Sequence, residues 1–570
     1  MTIPEEAFAA GYANLSAWSD LLDRINVFPV VDADTGANLR ISLSPLRACG
    51  HDPERTAEQM IRSATGNSGN IAAAFFGALL ETANKDDLAG QVAEGRKRAR
   101  QAVADPKDGT MLTVFDTLSE VLPRCTPLDI TSCETILTAL HQTVLTTAQI
   151  QADCRSAGVV DAGALGMYIF FDAFFRSLTG MGGHSPSLFV LFPGRLALTA
   201  DYRPPPSEAY CVEALLEPVD TNRLDSTALA GLGESLVIVP EHARLKVHVH
   251  TPDPQALRTR LAGLGEVADW SAAPIDVSDP SRRQSPTAGG CLHVMTDAAG
   301  SLPRELARRN NITLLDSYII HGDTARPESL CNPKAIYALM RQGQRLTTAQ
   351  TSLAERHQQY RNVCEEFGRT LYLCVGSVFT GNYGVALAWQ RQQDGEQCLE
   401  VIDTGAASGR LGLIALLTGR SALRTDDAGA VRAHALTLVK TCREYVFIDT
   451  LRYLVASGRV SRTNGLFGDL LRLKPVISPT PEGVRKMGLV RSRAAQLTFA
   501  LDKAREEIDT PAHAVFLLQY SDNETWVREE AQPQLQSLFP GSEILVVPLS
   551  LTSGVHMGPG TWSLAFAEEG

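Results

Sequence analysis

Asp32 and Asp34 stand one residue apart near the start of the chain, in the stretch NVFPVVDADTGANL. Two carboxylates this close repel each other, so either water solvates both or a cation lies between them. Such a pair can hold Mg²⁺, a hard cation that takes its other ligands from water and phosphate oxygens. The alternative is a solvated turn, because Asp, Thr and Gly are common in turns. The pattern alone leaves both interpretations open.

The stretch SATGNSGN could bind an anion. It places Gly66, Asn67, Ser68 and Gly69 just before an apolar segment with helical spacing. Backbone N–H groups, a hydroxyl and the positive end of a helix together suit a phosphate. A capped helix with a flexible preceding loop would explain the same residues. No Gly-Lys-Ser/Thr follows, so the stretch is not a Walker loop.

The segment RLKVHVHT has the alternation of a strand, which places His248 and His250 on one face. At a spacing of about 7 Å, two imidazoles can share one metal ion if their rings lean together. Cys211, in the earlier strand-like segment AYCVEALLE, is the best third ligand. Two exposed histidines and a buried structural thiol would fit the pattern equally well.

The elements that must position these residues fall into three regions. Residues 1–183 show apolar residues at three- and four-residue spacings, as in SCETILTALHQTVLTTAQI, and are predicted to be helical. Residues 184–279 add the strand-like segments AYCVEALLE, ESLVIVP and RLKVHVHT and are predicted to form a small α+β domain. A polar linker, 280–289, leads to residues 290–570, where strands such as CLHVMTD, TLYLCVGS and CLEVIDTG alternate with helices as in an α/β domain.

The length and net charge of the chain limit the classes of function that it can have. A chain of 570 residues can form roughly three domains. Its net charge of −12 argues against nucleic acid or an anionic membrane surface as the main partner. No apolar run approaches the ~20 residues of a membrane-spanning helix, and no leader pattern opens the chain. The 11 cysteines include no C-x-x-C pair, which predicts reduced thiols in a cytoplasmic protein without a disulfide framework.

Two further segments, KDGTMLTVFDTL and AGVVDAGALGMY, each put small residues and a polar group at a helix start. With the acidic and glycine-rich stretches, and in this order, they resemble the nucleotide-binding domain of dihydroxyacetone kinases. The version in the kinase subunit of bacterial fatty acid kinase, with its Asn-Val-Phe-Pro lead-in, is the more similar one. The resemblance covers about residues 1–180 and implies an all-α helical barrel that holds ATP through Mg²⁺.

This resemblance assigns roles to individual residues. Asp32 and Asp34 are the implied Mg²⁺ ligands, with Asn26 as a helper. The implied nucleotide-binding residues are Asn38, Gly66, Asn67, Ser68, Gly69, Thr110, Met111, Asp161 and Gly163. Ala33 stands where the family typically has glycine, a departure that could tighten the turn.

The segments AYCVEALL, ESLVIV and LKVHVHTPDP resemble the region that follows the nucleotide domain in the kinase subunit of fatty acid kinase. In that family the cysteine and the paired histidines are associated with activity and metal binding. The resemblance therefore implies that Cys211, His248 and His250 form a zinc or catalytic cluster.

From Cys291 onwards the chain resembles the DegV family of fatty-acid-binding proteins, through VMTDAAGSLP, LTTAQTS, GSVFTGNYG, VIDTGAASGRLG, LRYLVASGRVSRTNGLFGDLLRLKPVI and SGVHMGPGTWSLAF. The family implies two α/β lobes that grip one acyl chain, with the carboxyl group at the polar end. An acyl carboxylate needs hydroxyl or cationic donors. The residues at the family's head-group motifs are Thr348, Ser377, Arg459 and His556, and Arg459 is also expected to act in catalysis.

Three departures from the DegV pattern each remove a hydroxyl near the expected head group. Ala298, Ala349 and Gly376 stand where the family usually or often has serine. These differences bear on how the carboxylate is held and on the preferred chain length.

The combined prediction is a fatty acid kinase that transfers the γ-phosphate of ATP to a fatty acid carboxylate, giving acyl phosphate and ADP. A carboxylate with a pKa of roughly 4 to 5 is already ionised at neutral pH, so the reaction needs positioning and charge neutralisation more than a base. The expected partners are a second copy of the chain, with transfer across a homodimer, and a downstream acyltransferase.

Two other functions remain open from the sequence. One is a fatty-acid-binding carrier or sensor whose nucleotide domain is regulatory or inactive. The other is a dihydroxyacetone-type kinase, which in that family works with a separate histidine-bearing subunit that nothing in this chain resembles.

Overall fold

The computed structural model describes residues 4–50, 52–82, 87–182, 185–205, 208–218, 231, 233–241, 244–275, 292–394, 397–456 and 473–569. The chain divides into two compact units, Met1–Ser285 and Pro286–Gly570. The predicted helical and α+β regions both belong to the first unit. The predicted linker, 280–289, lies outside the described residues.

The N-terminal part of the first unit is helical, as its apolar spacing predicts. Its helices are α1 (Glu5–Ala17), α2 (Ser19–Arg24), α3 (Thr35–Ser42), α4 (Pro53–Ser63), α5 (Gly66–Leu80), α6 (Leu88–Ala102), α7 (Met111–Val121), α8 (Ile130–Ile150), α9 (Ala152–Ala157), α10 (Ala162–Thr179) and α11 (Leu188–Leu191).

Helix α10 forms the centre of this helical part. Its residues are buried on nearly every side, so other helices must cover its whole circumference. Helices α1, α7 and α8 pack against it. Phe170 makes an edge-to-face contact with Phe76, and Phe174 makes one with Phe8. The predicted all-α region therefore has one aromatic core.

The rest of the first unit is a small α+β part, as predicted. Strands β1 (Tyr210–Pro218), β2 (Glu234–Glu241), β3 (Arg244–Thr251) and β4 (Gly265–Pro274) form an antiparallel sheet in the order β2-β3-β1-β4. Helix α12 (Pro254–Ala262) covers one face, where Leu257 and Leu261 join Val247 and Val249 in the core.

The other face of this sheet lies against the helical part. The Lys246 ammonium donates to the carbonyls of Ile61, at 3.1 Å, and Ala64, at the C-terminus of α4. The backbone N–H of Ala104 donates to the carbonyl of Leu236 at 3.1 Å. The segment after α6 therefore pairs with the edge strand β2, and the sheet closes onto the helices.

The second unit alternates strands and helices, which confirms the α/β prediction. Its strands are β5 (His293–Asp297), β6 (Ile312–Leu315), β7 (Tyr318–His321), β8 (Thr324–Pro327), β9 (Leu346–Ala349), β10 (Thr370–Cys374), β11 (Leu399–Asp403), β12 (Arg443–Phe447), β13 (Lys474–Thr480), β14 (Gly483–Val490), β15 (Ala514–Tyr520), β16 (Glu543–Pro548) and β17 (Trp562–Glu568). Its helices are α13 (Arg304–Arg309), α14 (Pro333–Arg341), α15 (Leu353–Phe367), α16 (Asn382–Gln393), α17 (Ser408–Arg424), α18 (Ala428–Thr441), α19 (Arg452–Ala456), α20 (Arg493–Glu507), α21 (Glu524–Trp526), α22 (Gln532–Leu538) and α23 (Leu551–Met557).

Two larger sheets organise the second unit into the predicted two lobes. One is parallel, in the order β11-β10-β5-β6, and the other is mixed, in the order β14-β13-β12-β17-β15-β16. A small antiparallel sheet, β8-β7-β9, accompanies them. Helix α17 shares one core with both large sheets, because its leucines belong to the same buried cluster as Leu371 of β10 and Leu517 of β15.

The cysteine prediction was wrong in one respect. Cys364, near the end of α15, and Cys398, just before β11, form a disulfide with their Cα atoms 5.9 Å apart. The two residues are 34 positions apart in the chain, and no spacing motif marks them, so only the fold reveals the pair. The free cysteines of the described chain include Cys211.

Within the described ranges, no helix combines the length and the apolar character that crossing a membrane requires.

Asp161 caps the central helix α10 from a buried position. Its Oδ1 accepts a hydrogen bond from the backbone N–H of Ala164 at 2.7 Å. Burial raises the pKa of this carboxyl from its ordinary 3.8 to about 7, against the opposing effect of the capping N–H groups. The folded state therefore holds the Asp161 proton more tightly than the unfolded chain does.

We expect Asp161→Asn to stabilise the protein increasingly as the pH rises from 4 to 7. Because the folded pKa is raised, the wild type loses stability over this range, by up to about 1.4 kcal/mol per pH unit, whereas asparagine still caps the helix and does not ionise. Thermal unfolding of both proteins across this range measures the difference.

Asp129→Asn is the matched control. Asp129 caps α8 in the same way, accepting from Ser132 N–H at 2.9 Å, but it is exposed and the capping bond lowers its pKa. A stability gain for Asp161→Asn that stays constant with pH would contradict the expectation.

Candidate functional site

The acidic turn, residues 32–34, lies just before α3 and is held by Asn26. The Asn26 Oδ1 accepts from the backbone N–H groups of Asp34 and Thr35, at 3.3 and 3.4 Å. Its Nδ2 donates to the carbonyls of Phe28 and Val30, at 3.2 and 3.3 Å. Asn26 thus organises the turn through its backbone, and its assistance to a metal stays a prediction.

Ala33, between the two acids, adopts a left-handed conformation with φ = 56°. This conformation costs a residue with a side chain roughly 1–2 kcal/mol, and glycine adopts it freely. The left-handed backbone is the physical reason for a glycine at this position, and here alanine bears the strain. The turn that results points both carboxylates into one cavity.

Asp32 and Asp34 face each other without full solvation. Burial raises the pKa of Asp32, and the neighbouring Asp34 raises it further. Burial likewise raises the pKa of Asp34, with a further contribution from Asp23. A cation between the two would reverse these effects, because it stabilises the ionised carboxylates. The arrangement suits a hard metal ion bound with phosphate oxygens.

The start of α5 lies beside the acidic turn. The Ser68 hydroxyl donates to the carbonyl of Thr35 at 3.4 Å. Gly66 has φ = 64°, and a Cβ there would come within 2.0 Å of the Asn38 amide nitrogen, so only glycine fits. Gly69 packs closely against Ser42, because a Cβ added at position 69 would lie 2.1 Å from the hydroxyl oxygen of Ser42. The Oδ1 of Asn67 is buried and has no hydrogen-bond partner among the described residues.

Two adjoining cavities contain most of the predicted residues of the first unit. The small cavity, whose empty space of about 240 Å³ includes open solvent, is lined by Asn26, Pro29, Asp32, Asp34, Thr35, Asn38, Gly66, Asn67, Ser68, His248 and His250. The large cavity, of about 1650 Å³ with its open mouth, is lined in part by Thr110, Met111, Asp161 and Gly163. Pro29, Thr35, Asn67 and Ser68 line both. Most of the predicted phosphate and nucleoside residues therefore line two neighbouring cavities that share a wall.

The Cys–His–His cluster, Cys211, His248 and His250, comes together as predicted. Nε2 of His248 lies 3.2 Å from Nε2 of His250, and Cys211 Sγ lies 3.9 Å from Nδ1 of His248. One ligand atom from each residue falls within 4.8 Å of the others. The histidines are 1% and 3% exposed, so the alternative of two exposed histidines is excluded.

The protonation of the cluster suits a metal. Burial, and then His248, lower the pKa of His250 to about 3, so its ring is neutral at physiological pH. Burial raises the pKa of the Cys211 thiol. A bound metal would displace the proton of this thiol. Three ligands of this kind are typical of zinc sites that keep one position open.

Glu213 belongs to the site although no sequence motif singled it out. Burial alone would raise its pKa, but the hydrogen bond with His248 and the charge of Lys246 lower it to about 2. It therefore brings a carboxylate against Gly66 and His248, two residues that line the small cavity. The signal was available, because strand alternation places Glu213 on the same face of β1 as Cys211.

In the second unit, two of the predicted head-group residues meet. Thr348 Oγ1 and His556 Nε2 are 3.1 Å apart, brought together by β9 and α23. The Ser377 hydroxyl is exposed and donates to Asp403 at 2.5 Å. Arg459 lies outside the described residues.

The second unit also has a cavity of about 630 Å³. Ala298, Ser301, Arg304, Glu328 and Ser550 are among its lining residues, whereas Thr348, Ser377 and His556 are not. The Thr348–His556 pair and this cavity are thus separate features of the described second unit, and the predicted acyl tunnel stays a prediction.

We expect the purified protein to contain about one Zn²⁺ per chain, held by the Cys–His–His cluster. His250→Ala should remove most of it, because two ligands of this type hold zinc poorly, and metal analysis of the desalted protein measures the loss.

His141→Ala is the control, since His141 is a half-buried histidine whose Nε2 lies 2.8 Å from the carbonyl of Leu191. A wild type without zinc, or a His250→Ala variant with the wild-type content, would show that the cluster is not a zinc site.

Three family models match the chain in succession. Residues 29–176 match the DAK2 domain, residues 207–273 match the FakA-like middle domain of fatty acid kinases, and residues 291–569 match the DegV family. The three matches agree with the order of the resemblances seen in the sequence.

Individual relatives cover parts of the chain. The DegV domain-containing protein YteA of Lactococcus lactis is 24% identical over 281 residues, which is 47% of this chain and 95% of YteA. Protein YloV of Bacillus subtilis is 27% identical over 292 residues, which is 46% of this chain and only 53% of YloV. A solved DegV family protein from Thermus thermophilus, described for its fatty acid binding, matches with 25% identity and a TM-score of 0.44 over 49% of this chain and 99% of its own.

The α/β architecture of the second unit, the helical and α+β parts of the first and the three family matches lead to one assignment. The chain joins a DAK2 domain, a FakA-like middle domain and a DegV-family domain in one polypeptide, and this domain content matches the description of a fused fatty acid kinase.

Proposed function

We propose that this protein is a fatty acid kinase that transfers the γ-phosphate of ATP to the carboxylate of a bound fatty acid. The observation that carries the proposal is the small cavity, where the acidic turn, the start of α5 and the Cys–His–His cluster face one another. These are the groups that a metal-bound triphosphate needs: carboxylates for the metal, and N–H groups at a helix start for the phosphates.

We propose that the nucleotide spans the two adjoining cavities. The small cavity would take the phosphates and the large one the nucleoside, beside Met111 and Asp161. Asp32 and Asp34 would hold Mg²⁺, which withdraws charge from the phosphate oxygens when bound. The unpartnered Oδ1 of Asn67 can accept a hydrogen bond from a water molecule on that ion.

The acceptor is proposed from the DegV-family match and from the match of the middle domain to fatty acid kinases. The Thr348–His556 pair can donate hydrogen bonds to an acyl carboxylate. In the reaction, a carboxylate oxygen bonds to the γ-phosphorus while the bond from that phosphorus to the bridging oxygen breaks, and ADP leaves. The carboxylate is already ionised at neutral pH, so no proton has to move.

The proposal includes two partners. We infer that a second copy of the chain takes part, so that transfer can pass from the nucleotide of one chain to the fatty acid of the other. The acyl phosphate is a mixed anhydride, and we propose an acyltransferase as its consumer.

Fatty-acid-dependent release of ADP tests the activity. We expect it from the wild type, and Asp34→Asn should lower the rate by about 100-fold or more, because it removes charge that holds the metal against the phosphates. Asp153→Asn, at an exposed position in the first turn of α9, should leave the rate unchanged. ATP binding without ADP release at any fatty acid concentration would favour a carrier or sensor instead.

Binding of a fatty acid tests the head-group pair separately. Thr348→Val should weaken binding about 10-fold, because the hydroxyl supplies a hydrogen bond to a charged carboxylate. Thr347→Val is the matched control, since Thr347 is the exposed neighbour on the same strand. Titration with a fluorescent fatty acid measures both, and equal affinities for the two variants would remove Thr348 from the site.

A further inference from the structure

Glu213 contacts two parts of the site through one carboxylate oxygen. Its Oε1 accepts a hydrogen bond from the backbone N–H of Gly66 at 2.6 Å. The same oxygen lies 3.5 Å from Nδ1 of His248. Gly66 and Glu213 are 147 residues apart in the chain, so this contact joins the helical part of the first unit to its sheet.

The contact with Gly66 supplies a helix cap that the sequence near α5 lacks. The first N–H groups of a helix have no partner inside the helix, and the side chain of Thr65 makes no capping hydrogen bond. Glu213 provides the acceptor from strand β1, and its negative charge suits the positive end of the helix dipole. The position of the first turn of α5 thus depends on a residue of the sheet.

The contact with His248 ties the same carboxylate to the Cys–His–His cluster. Nε2 of His248 faces Nε2 of His250, whereas Nδ1 faces Glu213 at 3.5 Å and the Cys211 thiol at 3.9 Å. In many metal sites a carboxylate accepts the remaining N–H of a metal-bound imidazole and so fixes the orientation of the ring. A metal held by the two Nε2 atoms would leave the Nδ1 proton of His248 for Glu213.

We propose that Glu213 is a positioning residue that couples metal occupancy of the Cys–His–His cluster to the order of the first turn of α5. With metal bound, the ring of His248 is fixed, and its Nδ1–H holds the Glu213 carboxylate. That carboxylate in turn holds the Gly66 N–H. The coupling is a property of the fold, whereas its use in placing ATP phosphates rests on the proposed function.

Glu217→Gln is the matched control for this residue. Glu217 lies on the same strand and the same face as Glu213, but its partner is Arg244, with which it forms an ion pair at the surface. A variant there changes the charge of the strand by the same amount without touching Gly66 or His248.

Hydrogen–deuterium exchange tests the coupling without any nucleotide. In the wild type, removing zinc with a chelator should speed exchange in peptides that cover residues 66–70 by at least about fivefold, and adding zinc chloride back should restore the protection. Glu213→Ala should show fast exchange in both states. Glu213→Gln keeps the shape but not the charge, so its zinc effect should fall to about half or less.

Binding of Mg-ATP then tests the consequence for the site. Zinc removal should weaken Mg-ATP binding by at least about fivefold in the wild type and in Glu217→Gln, and by less than about twofold in Glu213→Ala. Zinc content, measured on each variant, separates a lost coupling from a lost metal.

Two outcomes of the exchange experiment overturn the proposal. One is a wild type whose exchange at residues 66–70 does not depend on zinc, which includes a protein that takes up no zinc. The other is a Glu213→Gln variant in which zinc removal speeds exchange at residues 66–70 as much as in the wild type. This outcome overturns the proposal even if Glu213→Ala does not fold. A wild type that shows the zinc effect in exchange but binds no ATP would leave the coupling in place and overturn the proposed function alone.

Discussion

The repulsion between Asp32 and Asp34 is the constraint on which the first unit's site depends. Burial and the neighbouring carboxylates raise the pKa of both groups, so the ionised pair is costly unless a cation accompanies it. The surrounding structure fixes the pair in spite of this cost. Asn26 holds the turn through four hydrogen bonds to the backbone, and Ala33 accepts a left-handed conformation. A local free-energy cost of this kind is typical of binding sites, where ligand binding can offset it.

The small cavity of the first unit also shows why the helical part and the sheet act as one unit. The acidic turn and the start of α5 come from the helical part, whereas His248 and His250 come from the sheet. Lys246 and Glu213 join the sheet to the last turn of α4 and the start of α5, and the ring pair and the acid pair line the same cavity. In the second unit, α17 has a comparable role, since it shares one core with both large sheets.

Local patterns predicted the fold classes and the placement of two candidate residues on one strand face. Alternation along RLKVHVHT placed the two histidines on one face, and β3 has them so. The spacing of the two aspartates by itself left a shared cation and a solvated turn both open. The long-range features could not be predicted this way. Glu213 meets Gly66 across 147 residues, and Cys364 meets Cys398 across 34, and no local signal connects either pair. The resemblance implied Asn26 as a metal helper, and its hydrogen bonds to the backbone of the turn are visible only in the folded chain.

The pairing of β2 with the segment after α6 has a consequence for association with other molecules. A sheet edge with free N–H and C=O groups is a template for another strand, and proteins commonly cover it. Here Ala104 and the bridge between Val103 and Val237 occupy that edge with the chain's own backbone. At Leu236 and Val237, which line the large cavity, this edge is therefore not open to the backbone of another molecule.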